Sequence, residues 1–135
     1  MPGEPPSDDE LTRGLVLHLD PDVLSSRGAT FSCPSANRVV GGHFFLCVED
    51  ADEDGLTSWV PLFSGDNEGR IAIDTADSVG HAKVTDGTFH FHPGQVWTAS
   101  GDQIRAASAA GGDLSRTGSR NRLNEGRTPR PPFDD

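Results

Sequence analysis

The sequence predicts a mainly β domain, either a small barrel or a curled antiparallel sheet, with one short C-terminal helix and disordered termini. The first observation is a series of short apolar segments with period-two alternation, spaced about ten residues apart. The second is the composition, since 16 Gly and 10 Pro in 135 residues suit short strands joined by tight turns. These patterns favour extended chain that curls around one apolar core.

The ends of the chain differ in composition from its middle. Residues Met1–Glu10 carry four acids and no base, while Arg116–Arg130 carries five arginines against one glutamate. Polar segments of this kind lack the apolar residues that a core needs. The sequence therefore predicts a disordered acidic head at 1–12, a single β-barrel domain at 13–112 and a disordered Arg/Pro-rich tail at 113–135.

The first strands are predicted from short apolar runs. In Leu15–Leu19, three leucines lie on the face opposite Val16 and His18. Pro21, between two aspartates, breaks this strand, and a second strand is predicted at Gly28–Cys33.

The strongest strand is predicted at His43–Val48, where both faces are apolar. Its even-numbered positions carry Phe, Leu and Val, and its odd-numbered positions add Phe45 and Cys47. Apolar residues on both faces are typical of a central strand. The Asp-Gly step at position 54 signals a hairpin. Thr57–Phe63 is then the partner strand, with Pro61 at a bulge or an edge position.

Three further strands and one helix complete the domain. The strands predicted at Arg70–Asp74 and Thr88–His92 alternate apolar and polar residues, and a last strand is predicted at Gln95–Ala99. The one convincing helical pattern is Asp102–Ala110, capped by Ser100 or Asp102 and ended by two glycines.

Charge and cysteine content limit the function classes. The formal net charge of −10 disfavours broad binding to nucleic-acid backbones. Two cysteines, Cys33 and Cys47, without a signal peptide, fit a reduced cytoplasmic protein better than a disulfide scaffold. No apolar run approaches the ~18 residues that cross a membrane. A phosphate-binding glycine loop is also missing, so we expect no cofactor and no membrane association.

Three segments resemble the MazF/PemK toxin family, whose members fold as SH3-like barrels. The first runs from Arg13-Gly14 to Asp20-Pro21, and a second Arg-Gly step at Arg27-Gly28 competes for its role. The second is the apolar strand Phe44–Val48 followed by Val60–Ser64. The third is either Gln95-Val96-Trp97 or Asp102-Gln103-Ile104-Arg105, which a helix follows. The resemblance covers roughly residues 13–110 and implies an SH3-like barrel.

The resemblance also implies a sequence-specific endoribonuclease. Family members use an arginine beside the second long strand and a Ser or Thr at the end of the next one; by position these are Arg38 and Ser64. Cleavage through the 2′-hydroxyl needs a cation on the phosphate and a proton donor or acceptor nearby. The family's arginine stands beside a proline at the strand start, where this chain has His43 after two glycines. His43 is therefore a candidate acid or base.

Two patterns resemble metal sites. Asp50-x-Asp52-x-Asp54-Gly55 matches the first half of a calcium loop, but its twelfth position is Pro61, and a solvated hairpin tip is the favoured interpretation. His90-x-His92 places two imidazoles on one strand face, which suits zinc in a metal-dependent hydrolase. Further ligands would come from His43, His81, Asp74 or Asp86. A polar outer face is favoured there too, so no metal ligand is assigned.

The favoured functional hypothesis is a non-enzymatic interaction module. The barrel would present four side chains to a protein partner: Trp59, Trp97, His90 and His92. That partner would be an antitoxin-like protein or a second copy of the chain in a homodimer. The alternatives are a MazF/PemK-like endoribonuclease, with RNA as substrate and Arg38, His43 and Ser64 as its catalytic residues, and the metal-dependent hydrolase.

Overall fold

The computed structural model describes residues 8–34, 38–39, 41–63, 70–75, 78, 89–110, 121–124, 126, 128–129 and 131. Within this part lie eight strands, two α-helices and a 3₁₀ turn at Asp8–Glu10. The strands are β1 (Leu15–Leu19), β2 (Thr30–Phe31), β3 (His43–Glu49), β4 (Leu56–Pro61), β5 (Ile71–Ile73), β6 (Phe89–Phe91), β7 (Trp97–Ser100) and β8 (Asn121–Arg122). The helices are α1 (Pro21–Ser26) and α2 (Gly101–Ala110). Neither described helix has the length and apolar character that crossing a membrane requires.

The strands form two antiparallel sheets. The larger one has six strands in the order β2-β7-β4-β3-β1-β8, and the smaller one pairs β5 with β6. The mainly β, antiparallel class is therefore confirmed. Among the described strands, β2 and β8 stay at opposite edges of the large sheet, so that sheet does not close into a barrel. The curled-sheet alternative fits, and the closed barrel does not.

β3 occupies the centre of the large sheet, as its two apolar faces predict. Leu46 lies opposite Val16 of β1 on one side and Val60 of β4 on the other. The middle of the strand, from Phe45 to Val48, is buried because the strand is paired on both sides and covered on both faces, which explains why polar residues are missing there.

Each face of the large sheet is buried against a different layer. The leucines at 15, 17 and 19 join Phe45 and Trp97 on one face, where Leu24 of α1 and Ile104 of α2 cover them. On the opposite face, Val16 and Leu46 pack against Phe89 and Phe91 of the small sheet. The predicted period-two alternation in β1, β3 and β6 is confirmed. It divides the apolar residues between two cores, giving three layers: helices, large sheet and small sheet.

Pro61 lies where β4 changes neighbours. β4 pairs with β7 as far as Trp59 opposite Trp97, and with β3 as far as Pro61 opposite Phe45. Two residues later, Phe63 exchanges backbone hydrogen bonds of 2.8 and 2.7 Å with His90 of the small sheet. Pro61 has no amide hydrogen, and here it occupies the edge-like position that its sequence predicts. The bulge in this hairpin lies instead in β3, between Cys47 and Glu49.

The helix α1 was not expected from the sequence, which predicted one short C-terminal helix. That predicted helix is found as α2. In α1, the Asp20 side chain caps the first turn by accepting a hydrogen bond of 2.9 Å from the Asp22 amide, and Pro21 follows at the first helical position. An Asp-Pro step ends a strand and begins a helix equally well. The sequence-based prediction at this step is only the strand end.

Within the tail predicted at 113–135, the structure describes a short segment that contacts the large sheet. Asn121 and Arg122 pair with β1 as an edge strand, and Leu123 is only 4% exposed in the core beneath the small sheet. Arg13 reaches the same segment and donates a hydrogen bond of 2.7 Å to the Thr128 carbonyl. Composition averaged over the tail hides the burial of Leu123, and a two-residue strand leaves no periodic pattern.

Within the head predicted at 1–12, the structure describes residues 8–12. Leu11 is buried in the core on the helical face, and Asp8 forms a 2.7 Å ion pair with Arg105 of α2. Arg122 links the two ends of the chain by donating a 2.8 Å hydrogen bond to the Glu10 carbonyl. Described residues on both sides of the predicted limits, 13 and 112, therefore contact the domain.

Candidate functional site

A cavity of about 530 Å³ opens at one end of the large sheet. β3 and β7 begin at this end, and β2 and β4 finish there, so three loops converge on it. The described lining comes from the loop after β2, the approach to β3, the exit from β4 and the turn before β7. It consists of Cys33, Pro34, Arg38, Val39, His43, Phe63, Arg70, His92, Gly94 and Gln95.

The lining has the opposite charge to the chain as a whole. Arg38, Arg70, His43 and His92 contribute cationic or hydrogen-bonding groups, and none of the described lining residues is a carboxylic acid. The whole chain, by contrast, carries a net charge of −10. The charge of the described lining therefore favours an anionic ligand over a cationic one.

Arg38 is held in position by two contacts. Its Nη1 donates a hydrogen bond of 3.0 Å to the Val39 carbonyl, and its Nη2 contacts Asp22 Oδ1 at 2.7 Å. The Arg38 side chain is 21% exposed, whereas that of Asp22 is 63% exposed. The first turn of α1 therefore supplies a partly solvated carboxylate that orients the guanidinium without enclosing it.

Phe63 brings two further polar side chains of the lining together. The guanidinium carbon of Arg70 lies 4.0 Å from the centroid of the Phe63 ring, within the range of a cation–π contact. The His43 ring meets the same phenyl ring edge-on, with 5.6 Å between centroids and 66° between planes. One half-buried aromatic ring thus fixes a cation and an imidazole beside each other.

Both histidines of the lining are hydrogen-bonded to the backbone through Nδ1. The Nδ1 atom of His43 lies 3.1 Å from the Gly41 carbonyl oxygen. The Gly94 amide donates to Nδ1 of His92 at 2.9 Å, inside a turn closed by a 3.0 Å hydrogen bond from the Gln95 amide to the His92 carbonyl. In each ring this leaves Nε2 as the nitrogen that can meet a ligand.

Gln95 connects two of the segments that line the cavity. Its side-chain oxygen accepts hydrogen bonds from the Val39 amide at 2.9 Å and from the Trp97 indole at 3.0 Å. Gln95 is buried, so these bonds tie the approach to β3 to the start of β7 in a region with little water. The side chain thereby fixes the spacing between two loops that line the site.

Cys33 lines the cavity but is not an activated nucleophile. Burial raises the pKa of its thiol, and a backbone hydrogen bond and the charge of Arg38 offset that effect only in part. A cysteine nucleophile requires a lowered pKa, since the thiolate is the reactive form. Cys33 therefore contributes a polarisable, unreactive side chain to the lining of the cavity.

The structure brings together part of the predicted endoribonuclease site. Arg38 and His43 both line the cavity, together with His92 from the other predicted set. Ser64 lies outside the described residues. Phe63, Arg70, Gly94 and Gln95 were missed, because they lie in separate loops whose convergence appears only once the sheet is formed.

The surface expected of an interaction module is not formed by the tryptophans. Trp59 and Trp97 are both completely buried, so the expectation that they face a partner is wrong. Their indole nitrogens donate inward, Trp59 to the Thr57 hydroxyl at 2.6 Å and Trp97 to Gln95. The physical reason is the pairing of β4 with β7, which places the two rings opposite each other on the helical face.

The histidines of the His-x-His pattern occupy different environments. His90 is 7% exposed and exchanges backbone hydrogen bonds with Phe63, whereas His92 is exposed in the turn at the cavity. Across the described residues, no cluster of three His, Cys, Asp or Glu side chains could hold a metal ion. Of the possible further ligands, Asp74 is exposed on the small sheet, and His81 and Asp86 lie outside the described residues.

The acidic hairpin between β3 and β4 uses its carboxylates to build the turn. Asp52 Oδ1 accepts hydrogen bonds from the Asp54 and Leu56 amides at 2.9 and 3.0 Å. Asp50 Oδ1 accepts one from the Arg13 amide at 2.8 Å. Gly55 closes the turn with φ of 77°, a conformation that favours glycine.

Comparison with protein-family models, curated proteins and solved structures finds no match to this chain. The function must therefore be argued from the cavity itself.

Proposed function

We propose that the cavity binds single-stranded RNA and cleaves one of its phosphodiester bonds through the neighbouring 2′-hydroxyl. The observation that carries this proposal is the lining, with two arginines, two histidines and no carboxylic acid among its described residues, in an otherwise acidic chain.

The arginines suit the phosphate. A guanidinium presents a planar fork of donors that matches phosphate oxygens, and it stabilises the negative charge that builds up on them during cleavage. Arg38 is oriented by Asp22 and Arg70 by Phe63, so both cations are held in place before a ligand arrives. Positioned charge of this kind favours the transition state, because little reorganisation is needed when the reaction occurs.

The remaining lining suits the rest of a nucleotide. Histidine is the side chain best placed to exchange protons near neutral pH, and two histidines line the cavity. Pro34, Val39 and Phe63 provide apolar surface next to them. Nucleobases bind to proteins largely by stacking on aromatic side chains and guanidinium planes, as the Arg70–Phe63 pair would allow.

This proposal replaces the interaction module as the favoured function. The module depended on exposed aromatic residues, and the two tryptophans assigned to it are internal. The endoribonuclease alternative gains support because Arg38, matched by position to the MazF/PemK family, and His43, the candidate acid or base where this chain departs from the family's pattern, lie in one cavity.

Cleavage of RNA by the purified full chain tests the proposal. A pool of unstructured oligoribonucleotides is incubated with the protein, and the new ends are identified by mass spectrometry. We expect products ending in a 2′,3′-cyclic phosphate and a 5′-hydroxyl. Arg70→Ala should lower the rate by roughly 100-fold, the typical effect of removing one stabilising group from a transition state.

Arg27→Ala provides the matched control, because Arg27 is exposed and is not among the described lining residues. Its rate should equal that of the unmodified protein. Absence of cleavage of every oligonucleotide by folded protein would overturn the proposal. Equal losses in Arg70→Ala and Arg27→Ala would also overturn it, because they would place the activity outside the cavity.

A further inference from the structure

The two histidines of the cavity make opposite hydrogen bonds with the backbone. The carbonyl oxygen of Gly41 can only accept, so the Nδ1 atom of His43, 3.1 Å away, must carry a hydrogen. The amide of Gly94 can only donate, so the Nδ1 atom of His92, 2.9 Å away, must present its lone pair. The neutral rings are therefore opposite tautomers, with a free lone pair on Nε2 of His43 and a hydrogen on Nε2 of His92.

We propose that His43 is the group that takes up the proton during cleavage, and that His92 serves as a neutral hydrogen-bond donor to a non-bridging phosphate oxygen. This assignment rests on the proposed function and divides the roles within the same cavity. It assigns His43 as the proton acceptor and His92 as the hydrogen-bond donor, whereas the sequence alone does not distinguish the two imidazoles.

His43 can change protonation state without losing its support. Its Nδ1 hydrogen donates to the Gly41 carbonyl in both the neutral ring and the imidazolium, so Nε2 gains or loses a proton while the ring stays in place. The edge-on contact with Phe63 fixes the same ring from the side. A general base needs this combination of a free lone pair and a constant position.

His92 is suited to donation alone. A proton on its Nδ1 would face the Gly94 amide hydrogen and break the bond between them, and a neutral ring that released its Nε2 proton would become an imidazolate. Neutral imidazole donors that polarise a reacting oxygen are known in enzymes. The Gly94 backbone lies against the imidazole, because a Cβ atom on Gly94 would lie 3.0 Å from both Cε1 and Nδ1 of His92.

The step balances as follows. The Nε2 atom of His43 accepts the proton of the 2′-hydroxyl, and the 2′-oxygen forms a bond to phosphorus. The bond between phosphorus and the 5′-oxygen breaks, the 5′-oxygen keeps the electron pair of that bond, and it takes a proton from a water molecule, which becomes hydroxide. The products are a 2′,3′-cyclic phosphate and a 5′-hydroxyl, and the imidazolium of His43 returns its proton to the hydroxide left in solvent.

Glutamine substitutions separate the two roles in the full-length protein. A glutamine amide can donate a hydrogen bond but cannot take up a proton. His43→Gln should therefore lower the cleavage rate by about 10²- to 10⁴-fold, the usual contribution of general base catalysis. His92→Ala should lower it by about 10²- to 10³-fold. His92→Gln should recover most of that loss.

Phosphorothioate substrates add a second readout. Sulfur accepts hydrogen bonds weakly, so one of the two phosphorothioate diastereomers should react slowly with the unmodified protein. The discrimination between diastereomers should shrink in His92→Ala and persist in His43→Gln. His18→Gln serves as the control for loss of an imidazole, because His18 contacts Phe44 edge-on at 5.2 Å and is not among the described lining residues.

A third readout is independent of activity. Long-range ¹H–¹⁵N correlation spectra of the folded protein, at a pH where both rings are neutral, show which nitrogen of each ring carries the hydrogen. We expect His43 as the Nδ1–H tautomer and His92 as the Nε2–H tautomer. The opposite pattern, or the same tautomer in both rings, would overturn the assignment.

The outcomes also distinguish this inference from the proposed function. If the unmodified protein cleaves no RNA, the proposed function fails and the roles assigned here fail with it. If the protein cleaves RNA but His92→Gln is as slow as His92→Ala, or His43→Gln stays active, only the division of roles is wrong.

Discussion

Gln95 shows how one buried side chain determines both stability and the shape of the site. Its oxygen receives hydrogen bonds from the Val39 amide and the Trp97 indole, and the residue is 6% exposed. A buried donor that loses its acceptor keeps the cost of leaving water, about 1–3 kcal/mol for each group. Replacing Gln95 by an apolar residue would leave two such donors.

Gln95→Leu should therefore lower the free energy of unfolding by about 2–4 kcal/mol. Urea denaturation followed by tryptophan fluorescence gives the value. The same change at Gln103 is the matched control, since the Gln103 oxygen accepts from the half-buried Ser100 amide at 2.9 Å, where water can replace it. A loss of about 1 kcal/mol or less is expected there. Equal losses at the two glutamines would contradict this account of Gln95.

Cys47 links the stability of the core to pH. Burial raises the pKa of its thiol to about 12, and the nearby charges of Asp50 and Glu49 act in the same direction. In the unfolded chain the thiol ionises from about pH 9, so unfolding releases a proton at higher pH. The contribution of Cys47 to stability is thus fully present below pH 9 and is lost as the pH rises towards 12.

Cys47→Val should make the stability less dependent on pH in this alkaline range. The unmodified protein should lose up to about 1.4 kcal/mol per pH unit more than the variant, the effect of one proton. Denaturation curves at several pH values above 8 give the slopes. Cys33 is present in both proteins, so its own raised pKa cancels in the comparison. If stability falls with pH equally steeply in the two proteins, Cys47 has the same pKa in the folded and unfolded chain, which would contradict this prediction.

Among the elements, the strands that lie in segments of alternating apolar residues could be predicted, whereas α1 and β8 could not. β3 has seven residues with apolar side chains on both faces, and its central place in the sheet follows from that pattern. α1 has six residues and β8 only two, which is too short for periodicity to show. Their formation depends on the Asp20 cap and on an exposed edge of β1, and the second of these exists only in the folded sheet.

The candidate site likewise combines residues that the sequence could locate with residues that it could not. Arg38 and His43 lie near the start of a strong strand, so a resemblance based on strand order could locate them. Arg70 and His92 are carried by loops that the sequence leaves without a fixed direction. They reach the cavity because Phe63 bridges to β6, which brings the small sheet beside the end of β4. Pairing between sheets cannot be predicted from local pattern.

The C-terminal edge strand should contribute measurably to stability. Leu123 lies in the core between the large and small sheets, and its amide donates a 2.8 Å hydrogen bond to the Gly14 carbonyl. Leu123→Ala should lower the free energy of unfolding by about 2–4 kcal/mol, as for other buried leucines. Leu123→Met, which nearly conserves volume, should cost less than about 1.5 kcal/mol. Urea denaturation of both variants measures the difference.

A negligible effect of Leu123→Ala would mean that the segment at 121–124 detaches in solution, as the sequence-based prediction of a disordered tail requires. Limited proteolysis offers an independent check, because bonds within a paired strand resist cleavage.

At the scale of the whole molecule, charge restricts where a nucleic acid can bind. Several of the described basic side chains are already engaged internally, as when Arg105 pairs with Asp8 and Asp102 at 2.7 Å. The net charge of −10 repels a polyanion from most of the surface. The proposed function places about two phosphates against Arg38 and Arg70 of the cavity.

A small number of phosphate contacts predicts a weak dependence of RNA affinity on salt. For single strands, the logarithm of the binding constant falls by about 0.7 per phosphate for each tenfold rise in salt, so two contacts give a slope of about −1.4. Fluorescence anisotropy with a 2′-O-methyl oligonucleotide, which lacks the reacting hydroxyl, measures binding without cleavage. Arg70→Ala should reduce the slope by about 0.7, and Arg27→Ala should leave it unchanged. A slope steeper than about −3 would place the RNA along the body of the protein rather than at the end of the sheet.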